Sequence, residues 1–300
     1  MSTVENIYHK GFKQDLEERT SQSNWRPAEN RIEHHVLPFI GKMRIMDLND
    51  GILQRVISKA YQSGLSKKTI RSIKGDMTSL VKYCRKLKLT KYRPEDIDIP
   101  VSAPKSEKSI LQPSDLQILF SVDTSRINGQ IEIEPYVYGY RLQVLHGLRP
   151  GEIGGLRKSD RIGDIVRIQR ARNAYNEITS GKNDNAIRAI QLCPLAIECW
   201  DKLSTFSSSD WLFPEYTSRK YYHHLQNYCK TNNITLVSPY ELRHTAISIM
   251  QALPEGLVKS TAGHSKSMDT FGVYGHSVDG DLNLTATLLQ NRFTNILSQK

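Results

Sequence analysis

Apolar and polar positions follow a helical period through most of the first hundred residues. The spacing predicts helices over Val4 to Arg19, Pro27 to Leu37 and Ile52 to Ser63. Ser66 precedes a longer predicted helix from Lys67 to about Leu87, whose apolar residues recur three and four positions apart. They are Ile70, Ile73, Met77, Leu80, Cys84 and Leu87. We therefore expect a helical N-terminal domain.

This periodicity ends in a segment rich in proline and serine, between Arg93 and Pro113. Such a composition favours an extended linker over a packed element. We place the linker at residues 101–112, after a helical domain of residues 1–100 and before a second domain of residues 113–300.

The second part mixes helical and strand-like patterns. Asp164 to Ala171 and Asn185 to Cys193 are rich in Ile and Val and predict strands, joined by a turn-rich connection at Glu177 to Asn185. Two helices are predicted to begin at Pro113 and near Pro254. Further helices are predicted over Ile133–Leu145, Leu195–Phe206, Ser218–Thr231, Pro239–Met250 and Asp281–Leu297. The expected fold is mainly α with a small β-sheet, and the second domain is α+β.

Charge is distributed unevenly along the chain. The net charge is +10, and residues 1–100 hold 19 Lys and Arg against 12 Asp and Glu. Between Gly51 and Arg93, twelve basic residues accompany one acid, Asp76. A solvated helix surface would explain this charge, but the near absence of acids also suits contact with a phosphate backbone. The candidate DNA-binding residues on the long helix are Lys67, Lys68, Arg71 and Lys74.

Other features of the composition exclude several classes of protein. No apolar run is long enough to span a bilayer, and the N-terminus lacks the hydrophobic segment of a signal peptide. The four cysteines form no CxxC pair and no zinc-site spacing, so they are expected to be small buried residues in a reducing cytosol. No cluster of Asp and Glu has metal-ligand spacing, and neither a metal nor another cofactor is expected.

Four separate stretches of the second part carry residues suited to phosphodiester chemistry. They contain Arg149 in HGLRPGEIGGL, Lys182 in the turn between the strands, Tyr240 and Arg243 in SPYELRHT, and His264 and Tyr274 in AGHSKSMDTFGVYGH. Two guanidiniums can bind the oxygens of a phosphate during attack, and an imidazole can donate a further hydrogen bond. A phenol can act as nucleophile, and a lysine can protonate the departing alkoxide.

Each of these residues also has a structural explanation when it is considered alone. Arg149 could cap the helix that ends at Gly147, and Arg243 could pair with Glu241 or Glu152. Lys182 would be an exposed turn residue, His264 a turn histidine, and Tyr274 one of 14 tyrosines. The order and spacing of the whole set favour the chemical interpretation.

That order resembles the tyrosine recombinase family, the phage-type integrases, along nearly the whole chain. GLRPGEIGGL resembles the first arginine box, with Arg149 followed by the usual acid Glu152, and ELRHT the second, with Arg243. GHSKSMDTFGVYGH resembles the third box, which gives His264 and the nucleophile Tyr274, while Lys182 lies where the family has its strand-turn lysine. EHHVLPFIGKMRIMDL, at Glu33 to Leu48, is similar to the start of the family's core-binding domain.

The resemblance implies a SAM-like core-binding domain and an α+β catalytic domain that form a C-shaped clamp on DNA. It implies a metal- and ATP-independent, site-specific recombinase that makes a 3′-phosphotyrosine link and a Holliday junction. We expect the integrase of a phage or conjugative element, acting in a prokaryotic cytoplasm as a tetramer on double-stranded DNA. Accessory DNA-bending or excision factors would assist it, and the helix over Asp281 to Leu297 would be exchanged between subunits.

The sequence departs from the family at two points. Tyr240 stands where many members have histidine, and a phenol, with a typical pKa of about 10, is a poor base near neutral pH. The chain also has no room for the arm-site domain that many integrases carry, so we expect a simple member or a shortened chain. Two alternative functions remain at this point: a catalytically impaired DNA-binding protein descended from a recombinase, and a topoisomerase-like relaxing enzyme.

Overall fold

The computed structural model describes residues 3–105, 107–180, 187–263 and 281–299. They form two compact units, residues 1–107 and 108–300, and the division falls inside the segment where we place the linker. The two units are described separately. No helix in the described ranges is long and apolar enough to cross a membrane.

The first unit is made of helices, with no β-sheet among its described residues. Its α-helices are α1 (Val4–Ile7), α2 (Lys13–Arg19), α3 (Gln22–His35), α4 (Leu37–Ile40), α5 (Asp50–Gln62) and α6 (Lys67–Lys86). A π-helical turn, Tyr8–Phe12, connects α1 to α2, so the predicted helix over Val4 to Arg19 is present with one irregular turn. The prediction for α3 is wrong at its start, because the backbone amides of Asn24 and Trp25 already bond to the Ser21 carbonyl and leave Pro27 inside the helix.

Helix α6 closes the core of this unit with the apolar face that the sequence predicts. The side chain of Ser66 caps its first turn by accepting from the backbone amide of Thr69 at 3.2 Å. The predicted face is buried, apart from Leu87, which lies after the helix and is 51% exposed. Asp76 accepts a two-bond ion pair from Arg31 on α3, at 2.6 and 3.2 Å. The one acid of α6 is therefore paired with Arg31 of α3 and does not neutralise the basic residues around it on α6.

The second unit surrounds a buried helix with further helices and short strands. Its α-helices are α7 (Pro113–Ser121), α8 (Val137–His146), α9 (Pro150–Gly154), α10 (Pro194–Phe206), α11 (Ser218–Thr231), α12 (Pro239–Met250), α13 (Glu255–Ala262) and α14 (Asp281–Leu297). Every residue of α8 is buried, and α10 and α12 pack against it. This central helix ends directly before the Arg149 stretch.

The strands of the second unit form three small antiparallel sheets. They are β1 (Thr124–Ile127), β2 (Gln130–Ile133), β3 (Arg161–Ile162), β4 (Ile165–Ile168), β5 (Ala171–Arg172), β6 (Ile178–Thr179) and β7 (Arg188–Gln191). The largest sheet has the order β3-β4-β7, and Val166 of β4 pairs with Ile190 of β7, both buried. β1 pairs with β2, and β5 pairs with β6. The sequence predicts β4 and β7 but misses β3 and the two pairs β1–β2 and β5–β6.

The hairpin β1–β2 corrects the predicted helix over Ile133 to Leu145. Ile133 is the last residue of β2 and is 56% exposed, and the helix begins only at Val137. Asn128 and Gly129 join the two strands, both with positive φ, at 49° and 85°. This is the backbone that a two-residue hairpin turn requires, and Asn-Gly is its preferred sequence.

The C-terminal helix α14 lies on α7 and β7 of its own chain. Leu289, Phe293 and Ile296 are buried there, and the rings of Phe293 and Phe120 lie 5.8 Å apart. An apolar face of this kind is what a helix exchanged between subunits would also bury, and exchange remains a prediction.

A substitution at Gly154 tests how closely α9 packs on the rest of the second unit. A Cβ atom at this position would lie 2.4–2.8 Å from ring carbons of Tyr216, a fully buried residue. We expect Gly154→Ala to lower the free energy of unfolding by about 1–3 kcal/mol, because the ring has no room to move. Urea unfolding of the full chain, followed by circular dichroism, measures the loss.

The matched control is Gly256→Ala on α13, where an added Cβ meets nothing within 4 Å. It should leave the unfolding free energy unchanged or raise it by up to about 1 kcal/mol. Equal stability of the two variants would contradict the packing described for α9.

His146, the last residue of α8, provides a second test of the core. It is 1% exposed, and neither ring nitrogen has a hydrogen-bond partner among the described residues. Burial lowers its pKa from 6.5 to about 4, and the charge of Arg188 acts in the same direction. The folded protein therefore holds His146 neutral at a pH where the unfolded chain binds a proton.

Because the pKa of His146 differs between the folded and unfolded states, part of the free energy of unfolding should be lost as the pH falls from about 6.5 toward 4. Its slope is at most about 1.4 kcal/mol per pH unit, because one proton is taken up on unfolding. In His146→Leu the component is absent, so the unfolding free energy of wild type should fall relative to that of the variant as the pH is lowered across this range. Parallel pH profiles would show that His146 is not held neutral.

Candidate active site

Arg149 directly precedes α9 and is paired to Glu152 through the geometry of the first helical turn. Pro150 occupies the first helical position, where its missing amide is not needed. Glu152 then accepts from the Arg149 backbone amide at 2.8 Å and from its Nη1 at 2.8 Å. The Arg149 side chain is 20% exposed, whereas that of Glu152 is 3% exposed. The carboxylate thus fixes an arginine that still reaches solvent.

Arg243 reaches the same region from α12. The turn between α8 and α9 begins at Gly147, whose φ of 63° lies in the left-handed region. Its carbonyl accepts from Nη1 of Arg243 at 2.5 Å, and the Arg243 side chain is buried. The end of α8 is therefore capped by Arg243 and not by Arg149.

A buried amide fixes the two arginine-bearing stretches relative to each other. Nε2 of Gln143 donates to the carbonyls of Leu148, at 3.0 Å, and Pro239, at 2.8 Å. Its Oε1 accepts from the hydroxyl of Tyr221 at 3.0 Å. Leu148 directly precedes Arg149, and Pro239 begins α12, the helix that carries Arg243. The side chain of Gln143 therefore fixes the starts of α9 and α12 relative to each other. Nothing in the sequence marks Gln143 for this role, because it looks like any residue of a helix interior.

A third arginine, Arg188 on β7, completes the cluster and was also missed from sequence. Its Nη1 and Nη2 donate to the two oxygens of Glu152, each at 3.0 Å. In the described part of the unit, two guanidiniums therefore donate to one carboxylate, and the third, that of Arg243, lies close enough for its pKa to respond to the charge of Glu152. No spacing rule relates Arg188 to Glu152, which is 36 positions away.

Glu152 stays ionised in this environment. Burial alone would raise its pKa, but the hydrogen bonds and charge of Arg188, with those of Arg149, hold the pKa below its usual range. Burial, together with the charges of Arg149 and Arg188, lowers the pKa of Arg243 to about 10, although the charge of Glu152 opposes this shift. All four groups are charged at neutral pH, so the cluster carries an excess of positive charge. Such a site is suited to bind an anion with the geometry of a phosphate.

The alternative ion pair between Arg243 and Glu241 is not formed. Glu241 accepts instead from the backbone amides of Ser238, at 2.6 Å, and Ser109, at 3.1 Å, so it caps the start of α12. Tyr240, one turn before Arg243, is 57% exposed. It is therefore available at the surface beside the buried arginine.

Three of the predicted residues, Lys182, His264 and Tyr274, lie outside the described residues. The described chain stops at Gly263, immediately before His264, and the Gly263 carbonyl accepts from Nη2 of Arg149 at 2.8 Å. The chain therefore enters the third predicted box from a point that contacts the arginine cluster. Within the described ranges, no group of three or more His, Cys, Asp or Glu is arranged to hold a metal ion.

The predicted DNA-binding residues of α6 divide into two pairs. Lys68 and Arg71 are exposed. Lys67 and Lys74 instead donate to backbone carbonyls of the segment after α6, to Val101 at 3.4 Å and Ile97 at 2.5 Å. A concave surface lies at the other end of α6. It is lined by Thr90 and by a further set of basic residues: Lys82, Arg85, Lys86, Lys91 and Arg93.

Comparison with known proteins gives one sequence family and a set of similar folds. The family described as "Phage integrase, N-terminal SAM-like domain" matches residues 2–61. No curated protein matches the sequence.

The solved structures match both units. An integrase of the Tn1549 transposon in complex with transposon right end DNA has a TM-score of 0.76 at 17% identity, covering 96% of this chain and 99% of that one. A lambda integrase tetramer bound to a Holliday junction has a TM-score of 0.69 at 11% identity, covering 88% and 78%. The XerH site-specific recombinase bound to palindromic difH substrate has a TM-score of 0.55 at 16% identity, covering 96% and 85%. The resemblance predicted from sequence is thus confirmed, since the chain has the fold of the tyrosine recombinases and its residues 2–61 match the SAM-like domain of phage integrases.

Proposed function

We propose that this protein is a site-specific DNA recombinase, the integrase of a phage or conjugative element. The observation that carries the proposal is the placement of Arg149 and Arg243 around the ionised Glu152, at the point where the chain continues into His264. Structures of the same fold are bound to transposon end DNA and to a Holliday junction. Double-stranded DNA is accordingly the proposed substrate.

In the proposed reaction, the guanidiniums of Arg149 and Arg243 bind the non-bridging oxygens of the scissile phosphate. The hydroxyl of Tyr274 gives up its proton to solvent and its oxygen attacks phosphorus, the bond to the 5′ oxygen breaks, and a 3′-phosphotyrosine forms. Lys182 gives a proton to the departing 5′ oxygen, and His264 donates a hydrogen bond to the phosphate. The 5′ hydroxyl of a partner strand then attacks the phosphotyrosine and releases the enzyme. The phosphodiester energy is kept in the tyrosine link, so no ATP is consumed.

Charge stabilisation is the main contribution of the described residues. Negative charge grows on the phosphate oxygens during attack, and buried, preorganised guanidiniums stabilise it without reorganising. Glu152 and Gly147 hold the two arginines through hydrogen bonds of 2.8 and 2.5 Å. The arginines are therefore oriented before DNA binds.

The first unit would supply most of the affinity for DNA. Lys68 and Arg71 are exposed on α6, whose one acid is neutralised by Arg31. Contacts of this type bind phosphates independently of sequence and weaken with salt. On its DNA site the protein would act as a tetramer in a prokaryotic cell, exchange α14 between subunits, and be assisted by DNA-bending or excision factors.

The nucleophile is tested with a nicked duplex made from the joined ends of the element that encodes the protein. Wild type should form a covalent adduct that survives a denaturing gel, because the nick lets the cleaved strand diffuse away. Tyr274→Phe should bind the duplex and form no adduct. Tyr222→Phe, an exposed tyrosine on α11, is the control and should form the adduct as wild type does.

Tyr240→Phe distinguishes between the two tyrosines of the predicted set. It should retain adduct formation, because Tyr240 is not the proposed nucleophile. An adduct that persists in Tyr274→Phe and disappears in Tyr240→Phe would reverse the assignment. Relaxation of plasmids of any sequence would instead favour a topoisomerase, and a wild type that binds without an adduct would favour an impaired recombinase.

Arg243→Lys tests transition-state binding while keeping the positive charge. An ammonium lacks the planar fork of the guanidinium. The single-turnover rate of adduct formation should fall by about 100-fold, with DNA affinity within about threefold of wild type. Arg219→Lys, exposed on α11, is the control. Equal losses of rate and affinity would make Arg243 a plain DNA contact.

A further inference from the structure

The end of α13 is held by two arginines of the cluster. Arg188 Nε donates to the carbonyl of Thr261 at 2.8 Å, and Arg149 Nη2 donates to the carbonyl of Gly263 at 2.8 Å. Gly263 has a φ of 64°, the left-handed conformation in which helices commonly terminate. These two carbonyls belong to the last turns of the chain before His264. The positions of these two carbonyls in space fix the point from which the chain continues to His264.

Arg188 joins this helix end to Glu152 with a single planar group. Two of its nitrogens, Nη1 and Nη2, donate to Glu152 on α9, and the third, Nε, donates to Thr261 on α13. The Arg188 side chain is 8% exposed. A guanidinium offers this set of donors in a fixed plane, which a lysine cannot reproduce. The side chain therefore sets the distance between α9 and α13.

Arg188 also affects the charge that Arg149 presents. Glu152 accepts bonds from Arg149 and Arg188, so its negative charge is shared between two guanidiniums. Without Arg188, the carboxylate would have Arg149 as its remaining guanidinium partner in the described chain. Arg149 would then be largely neutralised by its own ion pair and would bind an anion more weakly.

We propose that Arg188 is a positioning residue, which holds the end of α13 beside the arginine cluster and leaves Arg149 with the positive charge to bind a phosphate. It acts through Glu152, Arg149 and Thr261 and need not touch the DNA. Its effect on DNA cleavage rests on the proposed function, whereas its effect on α13 does not.

A comparable ion pair in the same unit serves as the control. Arg170 Nη1 donates to both oxygens of Asp160, at 2.8 and 2.7 Å, and to the carbonyl of Gly155 at 3.3 Å. The Asp160 side chain is 3% exposed, like that of Glu152. Removing Arg170 thus deprives a buried carboxylate of its arginine without touching Glu152 or α13.

Hydrogen exchange of the full chain tests the proposal without DNA. In Arg188→Gln, the backbone amides of residues 255–263 should exchange about tenfold or more faster than in wild type, because the end of the helix opens locally. Arg170→Gln should leave this segment within about threefold of wild type. Arg188→Lys, which keeps the charge, should give an intermediate increase and replaces the glutamine variant if that one does not fold. Equal exchange of this segment in the Arg188 and Arg170 variants would overturn the proposal.

The nicked duplex described above gives the second readout. Arg188→Gln should lower the single-turnover rate of adduct formation by about 100-fold and change DNA affinity by less than about threefold. Arg170→Gln should change neither rate nor affinity by more than about threefold. Equal rates in the two variants would refute a positioning role. If wild type forms no adduct, the proposed function fails, and hydrogen exchange alone decides the role of Arg188.

Discussion

The candidate site depends on one buried carboxylate. Glu152 accepts four hydrogen bonds from described residues, two from Arg149 and two from Arg188. Removing a charged group from water costs several kcal/mol, and only excellent geometry with hydrogen bonds to both oxygens offsets this cost. The same bonds connect the start of α9, the strand β7 and, through Arg188, the end of α13. One carboxylate and its two ion pairs thus organise three elements that are far apart in sequence.

The positive charge of the cluster is stabilised by the packing around it. Arg243 is buried next to two other guanidiniums, and this arrangement disfavours its charged form, as the lowered pKa shows. The carbonyl of Gly147 and the charge of Glu152 compensate in part. An arriving phosphate would relieve the remaining repulsion. Because the repulsion among the guanidiniums is present before a ligand arrives, an anion that binds beside them gains binding energy by relieving it.

The sequence predicts those features that depend on local patterns. The buried face of α6 follows from apolar residues spaced three and four apart, and its start follows from Ser66. The hairpin β1–β2 was missed because each of its strands is only four residues long, too short to outweigh the helical pattern that follows, although β2 alternates polar and apolar residues and Asn128-Gly129 is a recognisable turn. Arg188 could not be predicted, because its role arises from contacts with Glu152 and Thr261, 36 and 73 positions away. Arg149 and Arg243 were identified by family resemblance, and the fold then brought them together.

The proposed function requires that Arg149 and Arg243 jointly bind one backbone phosphate while Glu152 holds Arg149 in place. A crystal structure of the Tyr274→Phe protein bound to its DNA site would show whether they do. Both guanidiniums should donate to non-bridging oxygens of a single phosphate at about 3 Å, with Glu152 still bound to Arg149 and Arg188. A scissile phosphate that lies away from either arginine would contradict it.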